Sequence, residues 1–196
     1  MIIASGNAGK RDEIEKICGD LDFSFKTLRD YWDPVPQIEE TGETFLENAF
    51  IKAQWVFDRL GLPTLADDSG LQVDCLGGEP GVRSARYAGE NATDEQNNRK
   101  LLKKCAECSG QRRSARFRCV IVCIFSPEKS IAVEGMCEGK IGYSPKGNGG
   151  FGYDPLFIPD GYDMSFAQLD SATKNTVSHR GKALKKLKEK LRNISV

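Results

Sequence analysis

The sequence predicts an α/β protein, and three observations carry that prediction. A short apolar run at the start, "MIIAS", passes through a glycine turn into a helical pattern. A long amphipathic stretch ending at Gly61 is followed at once by a new apolar run. Two alternating runs, "ARFRCVIVCIFSP" and "KSIAVEGMCEGKIGY", then stand back to back across Pro127. Strands interleaved with helices of this length imply a sheet covered by helices. At 196 residues the chain is expected to fold as a single domain, 1–196, with two lobes and a sizeable core.

Each element follows from a local signal. In "GNAGKRDEIEKICGD", Ile14, Ile17 and Cys18 fall at i, i+3, i+4 and Gly19 supplies a stop, which predicts a helix after the first strand. "LDFSFKTLRDYWDPVPQIEE" alternates and then loosens around Pro34 and Pro36, a strand followed by a connector. Phe45, Ala49, Ala53, Val56, Phe57 and Leu60 recur at helical spacing up to Gly61. The run led by Pro63 is expected to end at the adjacent acids Asp67 and Asp68, turn at a glycine, and resume as a strand from Leu71 to Leu76. A Gly/Pro/Arg-rich loop leads to a helix from about Asp94 to Cys105, with Thr93 as its N-cap. The two long strands pair antiparallel, and "SPKGNGGFGYDPLFIPDGYD" forms a shaped loop through a short strand at Leu156 to Ile158. In the last helix Ala183, Leu184, Leu187, Leu191 and Ile194 share one face, with lysines opposite as a solvated surface.

Composition narrows the partners. Lys and Arg number 28 against 28 for Asp and Glu, so no net positive field draws in a nucleic-acid polymer. The apolar runs are far shorter than the roughly 20 residues of a membrane span, and "MIIASGN" lacks the basic and apolar regions of a signal peptide. A soluble, cytoplasmic protein is expected. Seven cysteines is an odd number, and those at Cys119 and Cys123 sit inside apolar patterns as small hydrophobes, which predicts reduced thiols. Cys105 and Cys108 have CxxC spacing without a second pair or a His partner; a solvated helix end is weighed there against a redox or metal role.

Several constellations offer chemistry. "SGNAGK", Ser5 to Lys10, has the glycines and free helix-start amides of an anion cradle, and Lys10 in the first helical turn is favourable only with an anion to offset it. The spacing is not that of a P-loop, and a polar turn without a ligand is the competing reading. Asn48 and Lys52 lie one turn apart along a polar stripe, either a solvent border or a route for an amine toward a phosphate. Glu39 and Glu40 precede a helix start, where acids ordinarily serve the dipole. Asp67 and Asp68 repel unless something positive joins them; a divalent ion with carboxylate, water and phosphate oxygens around it is one answer, a turn-capping role the other. Ser69 adds a donor. His179 is the sole histidine, so a Ser-His-Asp triad could use no other base, and no GxSxG elbow marks a nucleophile; the sequence disfavours a serine hydrolase. Phe151 and Tyr153 offer faces on which a base can stack, and His179 and Arg180 offer donors to a 6-keto group.

Taken in order, "SGNAGK", "EETGETFLENAFIKA", "LADDSGLQVDCLGGEPGVRSARYAG", "GGFGYDPLFIPDGY" and "SHRGKAL" resemble the inosine triphosphate pyrophosphatase family, the XTP/dITP diphosphatases, from about residue 2 to about residue 192. The resemblance implies an elongated α/β protein with a long bent mixed sheet, an active-site cleft between its lobes, and a homodimer. It also implies Mg²⁺ dependence, with Mn²⁺ as an alternative, and hydrolysis of ITP, dITP and XTP to the monophosphate and pyrophosphate. Residue by residue, Ser5, Gly6, Asn7, Ala8, Gly9, Lys10 and Lys52 match the triphosphate grip. Glu40 and Asp68 match the metal ligands, Asp68 also the proton acceptor, and Ser69 a substrate contact. Phe151, Gly152, Tyr153 and Asp154 match the segment that stacks on and edges the base, Lys174 a further substrate contact, and His179 with Arg180 the base-reading pair. The family's acid before that lysine is Thr173 here, which leaves open how Lys174 is held. Two other functions stay in view: a pyrophosphatase for other modified nucleotides, and a nucleotide-binding sensor without chemistry.

Overall fold

The computed structural model describes residues 1–5, 8–21, 23–108 and 113–192. Its elements, in order, are β1 (Ile2–Ile3), α1 (Ala8–Cys18), β2 (Lys26–Thr27), α2 (Phe45–Leu60), β3 (Thr64–Val73), α3 (Asp94–Lys104), β4 (Ser114–Ser126), β5 (Lys129–Ile141), β6 (Phe157–Pro159), α4 (Ser171–Val177) and α5 (His179–Arg192). The strands form one mixed sheet in the order β2-β1-β3-β4-β5-β6. β1 runs parallel to β2 and β3, and β5 antiparallel to β6. β4 and β5 neighbour each other across the two residues Pro127 and Glu128, a connection short enough only for an antiparallel pair. Among the described residues no helix is long and apolar enough to cross a membrane.

The chain divides into two compact units. The first comprises Met1–Asp68, Cys119–Gly135 and Ala183–Val196. Here β1 leads through α1 to β2 on one side and the chain returns through α2 to β3 on the other, so right-handed crossovers put α1 and α2 on opposite faces of the sheet. The side chains agree. Ile3, Leu65, Cys119, Ile121 and Cys123 share a core with Ile14 and Cys18 of α1 and with Ala183, Leu184, Leu187 and Leu191 of α5. Val122, on the alternate face, borders an apolar groove with Leu46, Phe50 and Ile51 of α2. The expected core face of α5 is present through Leu191, while Ile194 lies outside the described residues.

α2 is long because both ends are defined locally. The Thr44 hydroxyl accepts from Glu47 N at 3.1 Å while Glu47 Oε2 accepts from Thr44 N at 3.1 Å, a reciprocal cap that contributes about 1 kcal/mol. Gly61 closes the helix in the left-handed conformation, φ 62°.

The second unit comprises Ser69–Arg118 and Met136–Lys182. Its core gathers Leu71, Val73, Leu101, Phe117, Ile141, Tyr153, Leu156, Phe157 and Phe166. Phe117 meets Phe157 edge-on at 4.8 Å and stacks on the His179 ring at 4.7 Å and 11°. Gly139 permits the β5–β6 approach, since a Cβ there would lie 2.3 Å from the Ile158 carbonyl oxygen.

Three expectations are corrected. β3 runs without a break from Thr64 to Val73, through the two acids and the glycine that suggested a turn, and Asp74–Leu76 form a helical turn closed by Gly77 rather than a strand end. β2 spans only Lys26–Thr27, because Asp30 Oδ2 accepts from Thr27 N at 2.6 Å and starts a helical turn there. The CxxC is neither a solvated helix end nor a set of free thiols: Cys108 is bonded to Cys75, and Cys105 is a buried free thiol beside them.

Candidate active site

The adjacent acids sit where a doubly wound sheet gathers ligands. β1 pairs with Thr64 and Leu65 and stops, so Asp67 and Asp68 lie just past its C-terminal end, on the strand that α2 leads into and beside the strand that leads away to α1. Consecutive residues of a strand point to opposite faces. Asp67 therefore faces α1, whose Lys10 Nζ is 2.7 Å from its Oδ1. Asp68 faces α2, whose Lys52 Nζ is 3.6 Å from its Oδ1 and 2.5 Å from Glu40 Oε1. Both aspartates are buried, at 7% and 8% exposure. They remain in an unbroken strand because each has an ammonium group in place of water.

Three carboxylates, Glu40, Asp67 and Asp68, gather around the ammonium groups of Lys10 and Lys52. Burial works to lower the Lys52 pKa, but attraction to Asp68, then Asp67 and Glu40, outweighs it and raises the pKa. Lys52 is thus a cation held between Glu40 and Asp68. Hard oxygens converging on a position that already holds positive charge are the donor set Mg²⁺ uses. Asn48, one turn before Lys52 and wholly buried, accepts from Gly42 N at 2.8 Å and so ties the segment after Glu40 to α2.

The other residues expected at the phosphate end are placed as follows. Ser5 is half-buried just after β1, and its carbonyl accepts from Leu28 N at 3.3 Å. Gly6 and Asn7 lie outside the described residues; Ala8 and Gly9 open α1, which places their amides at the positive end of the helix dipole. Ser69 follows Asp68 in β3, half-buried.

The second unit holds the aromatic and cationic residues of the C-terminal segments. Phe151 is 56% exposed. Lys174 Nζ lies 4.9 Å from its ring centre and Arg180 Cζ 5.6 Å. Asp154 is buried, and its Oδ2 accepts both from Phe151 N at 2.8 Å and from Lys174 Nζ at 2.5 Å. This settles how Lys174 is held: the acid comes from Asp154, whereas Thr173 serves the Asp170 cap of α4. Gly150, at φ 75°, leaves room for that carboxylate, because a Cβ would lie 2.1 Å from Oδ2. Tyr153 is buried in the core with its hydroxyl donating to the Ser84 carbonyl at 2.8 Å, and burial raises its pKa. His179 lies flat against Phe117, so its ring nitrogens, not its face, are what it can offer. Of the aromatics in this loop, Phe151 is the one with an open face.

Two contributions were not singled out from the sequence. Asp67 as the partner of Lys10 was hidden behind its neighbour, although period-two alternation was the signal that the two acids serve different faces. Asp94 and Asn98 of α3 contact Gly152, and nothing local to α3 announces it.

Known proteins resemble this chain along its whole length. A protein named dITP/XTP pyrophosphatase from Halalkalibacterium halodurans is 48% identical over 186 residues, covering 95% of each chain. Another with that name from Geobacter sulfurreducens is 48% identical over 191 residues, 97% of this chain and 96% of its own. The structure of a HAM1 protein from Coxiella burnetii superposes with a TM-score of 0.92 at 42% identity over 98% of both chains. That of the Staphylococcus aureus Ham1 protein gives 0.89 at 39%, covering 98% of this chain and 97% of its own. With residues 1–190 matching the family and relatives of this identity spanning nearly all of it, the chain belongs to the Ham1 family.

Proposed function

We propose that this protein hydrolyses the non-standard purine nucleoside triphosphates dITP, XTP and ITP to the nucleoside monophosphate and pyrophosphate. The names of its relatives support this reading. The observation that carries it is the Lys52 ammonium shared by Glu40 and Asp68 beside the Lys10–Asp67 pair. Polyphosphate cleavage needs positive groups facing the negatively charged phosphoryl oxygens and an oriented water. Lys10, Lys52, Ser5 and the first amides of α1 are the groups for the leaving pyrophosphate, and Ser69 donates to a phosphoryl oxygen. Glu40 and Asp68 are the residues that would hold Mg²⁺, which when bound neutralises phosphate charge and acidifies water. Asp68 orients the attacking water and accepts its proton.

Base selection falls to Phe151 as the stacking face, with Gly152, Tyr153 and Asp154 shaping its loop. Lys174, His179 and Arg180 supply donors. A donor aimed at the 6-keto oxygen of hypoxanthine or xanthine loses its partner against the 6-amino group of adenine, a mismatch that discriminates by about 10⁴ in sites built this way. The homodimer implied by the resemblance is part of this proposal, and sedimentation at micromolar concentration tests it.

The deciding experiment incubates the protein with ITP, XTP, dITP, GTP and ATP, with and without Mg²⁺, and identifies the phosphate product. Pyrophosphate from the first three, dependent on Mg²⁺, is expected; orthophosphate would point to cleavage elsewhere. Asp68→Asn is expected to lower kcat by about 10³-fold or more, with the far-UV spectrum unchanged. Near-normal turnover in that variant would remove Asp68 from the chemistry.

A further inference from the structure

The loop bearing Phe151 is held from outside itself. Asp94 Oδ2 accepts from Gly152 N at 2.6 Å, and Asn98 Nδ2 donates to the Gly152 carbonyl at 2.9 Å. Both backbone polar groups of one glycine are therefore gripped by two side chains one turn apart on the same face of α3. Gly152 adopts φ 59°, and glycine is the residue with the widest backbone freedom, so its conformation is defined by what binds it. An open pocket of about 450 Å³, bordered by Asn98, Arg99 and Leu102 on α3 and by Gly150, Phe151 and Gly152 on the loop, lies beside this contact.

Asn98 also bears a cost. It is 8% exposed and, among the described residues, its Oδ1 has no hydrogen-bond partner. An unsatisfied buried acceptor is destabilising, and an apolar residue at this position would avoid it. The side chain is explained by its amide N–H, which holds the Gly152 carbonyl. Asp94, in the first turn of α3, serves the helix dipole and at the same time makes a short, charge-assisted bond to the Gly152 amide. With Asp154 Oδ2 fixing the Phe151 amide from within the loop, the backbone on both sides of Phe151 is set.

We propose that Asp94 and Asn98 are positioning residues for base recognition, acting through Gly152 to hold the Phe151 ring in its stacking orientation. The proposal rests on the reading that Phe151 stacks on the purine. Its signature is a loss confined to the base-bearing substrate. Asp94→Ala and Asn98→Ala are each expected to raise KM for ITP about tenfold, the scale of one hydrogen bond to a charged or buried group, with kcat changed less. Because both grip the same residue, the double variant should fall within about threefold of the worse single one rather than multiply the two losses. Asp94→Asn keeps an acceptor and should recover most of the affinity. Asn98→Asp sets an acceptor against the carbonyl and should not.

The test measures KM and kcat for ITP together with the Ki of inorganic tripolyphosphate, which has no base, in these variants and in Phe151→Ala. Raised KM with an unchanged tripolyphosphate Ki supports positioning. A Ki that rises in step with KM means that the substitutions act through the fold at large and overturns the proposal, as does a wild-type KM in both alanine variants while Phe151→Ala raises it. Phe151→Ala with a wild-type KM for ITP would instead remove the stacking reading on which the proposal stands.

Discussion

Replacing Lys52 by methionine tests the central electrostatic claim, because it removes the ammonium and keeps most of the side-chain volume. Lys52 is the cation between Glu40 and Asp68, with Nζ 2.5 Å and 3.6 Å from their oxygens. Deleting one partner of a buried ion group leaves uncompensated charge and costs about 3–5 kcal/mol. A chain of 196 residues has an unfolding entropy of about 0.4 kcal/mol per kelvin, so the melting temperature in EDTA should drop by about 7–12 °C. Mg²⁺ should then reverse part of the loss. At a concentration about 100 times its Kd it returns about 2.7 kcal/mol, or about 6–7 °C. The wild-type gain should be smaller, because there the ion must displace an ammonium already seated on the same carboxylates. Thermal unfolding of both proteins in EDTA and across a Mg²⁺ titration measures all of this. If the variant melts with the wild type in EDTA, or if Mg²⁺ raises both equally, Lys52 and the ion do not share those carboxylates and the metal assignment of Glu40 and Asp68 fails.

Arg180→Ala should erode the preference for ITP over ATP from about 10⁴ toward 10² in kcat/KM ratios; an unchanged ratio would move base reading to another residue. Reducing the Cys75–Cys108 disulfide, which closes a loop of 33 residues, should lower stability by about 4 kcal/mol in urea titrations, and Cys75→Ser should match the reduced protein. Burial pushes the Cys18 and Cys137 thiols from 9.0 up to about 11. The folded protein then keeps these protons after the unfolded chain has released them, so the stability they contribute is full below pH 9 and is lost as pH rises toward 11. Urea midpoints that stay flat from pH 8 to 11 would contradict that assignment.

The sequence was most informative where the determinants are local. The start and end of α2 follow from Thr44, Glu47 and Gly61, and the start of α3 from Thr93 and Gln96, all within a few residues of the boundary they set. The β4–β5 hairpin follows from two alternating runs and one proline. What failed depends on distant partners. Two adjacent aspartates do imply a break when only their neighbours are considered; the strand continues because Lys10, 57 residues away, and Lys52 neutralise them. Likewise Cys108 reads as half of a CxxC, yet its bond goes to Cys75. Lys174 lacks an acid beside it in sequence and receives one from Asp154, 20 residues earlier.

The doubled acid itself is a consequence of the sheet's topology. At the junction of β1 and β3, α1 leaves β1 over one face of the sheet and α2 leads into β3 over the other, and each brings a lysine. A single carboxylate on β3 points to one face and reaches one of them. Two consecutive carboxylates reach both without bending the strand, so Asp67 fixes Lys10 while Asp68, with Glu40, surrounds Lys52. The repulsion between the acids is thereby divided between two separate cations. It also means that the two aspartates are not interchangeable. Asp67 pairs with an ammonium at 2.7 Å and holds a lysine at the start of α1, whereas Asp68 shares its cation with a second carboxylate, which is why the proposed exchange of that cation for a dication is assigned to Asp68 and not to Asp67.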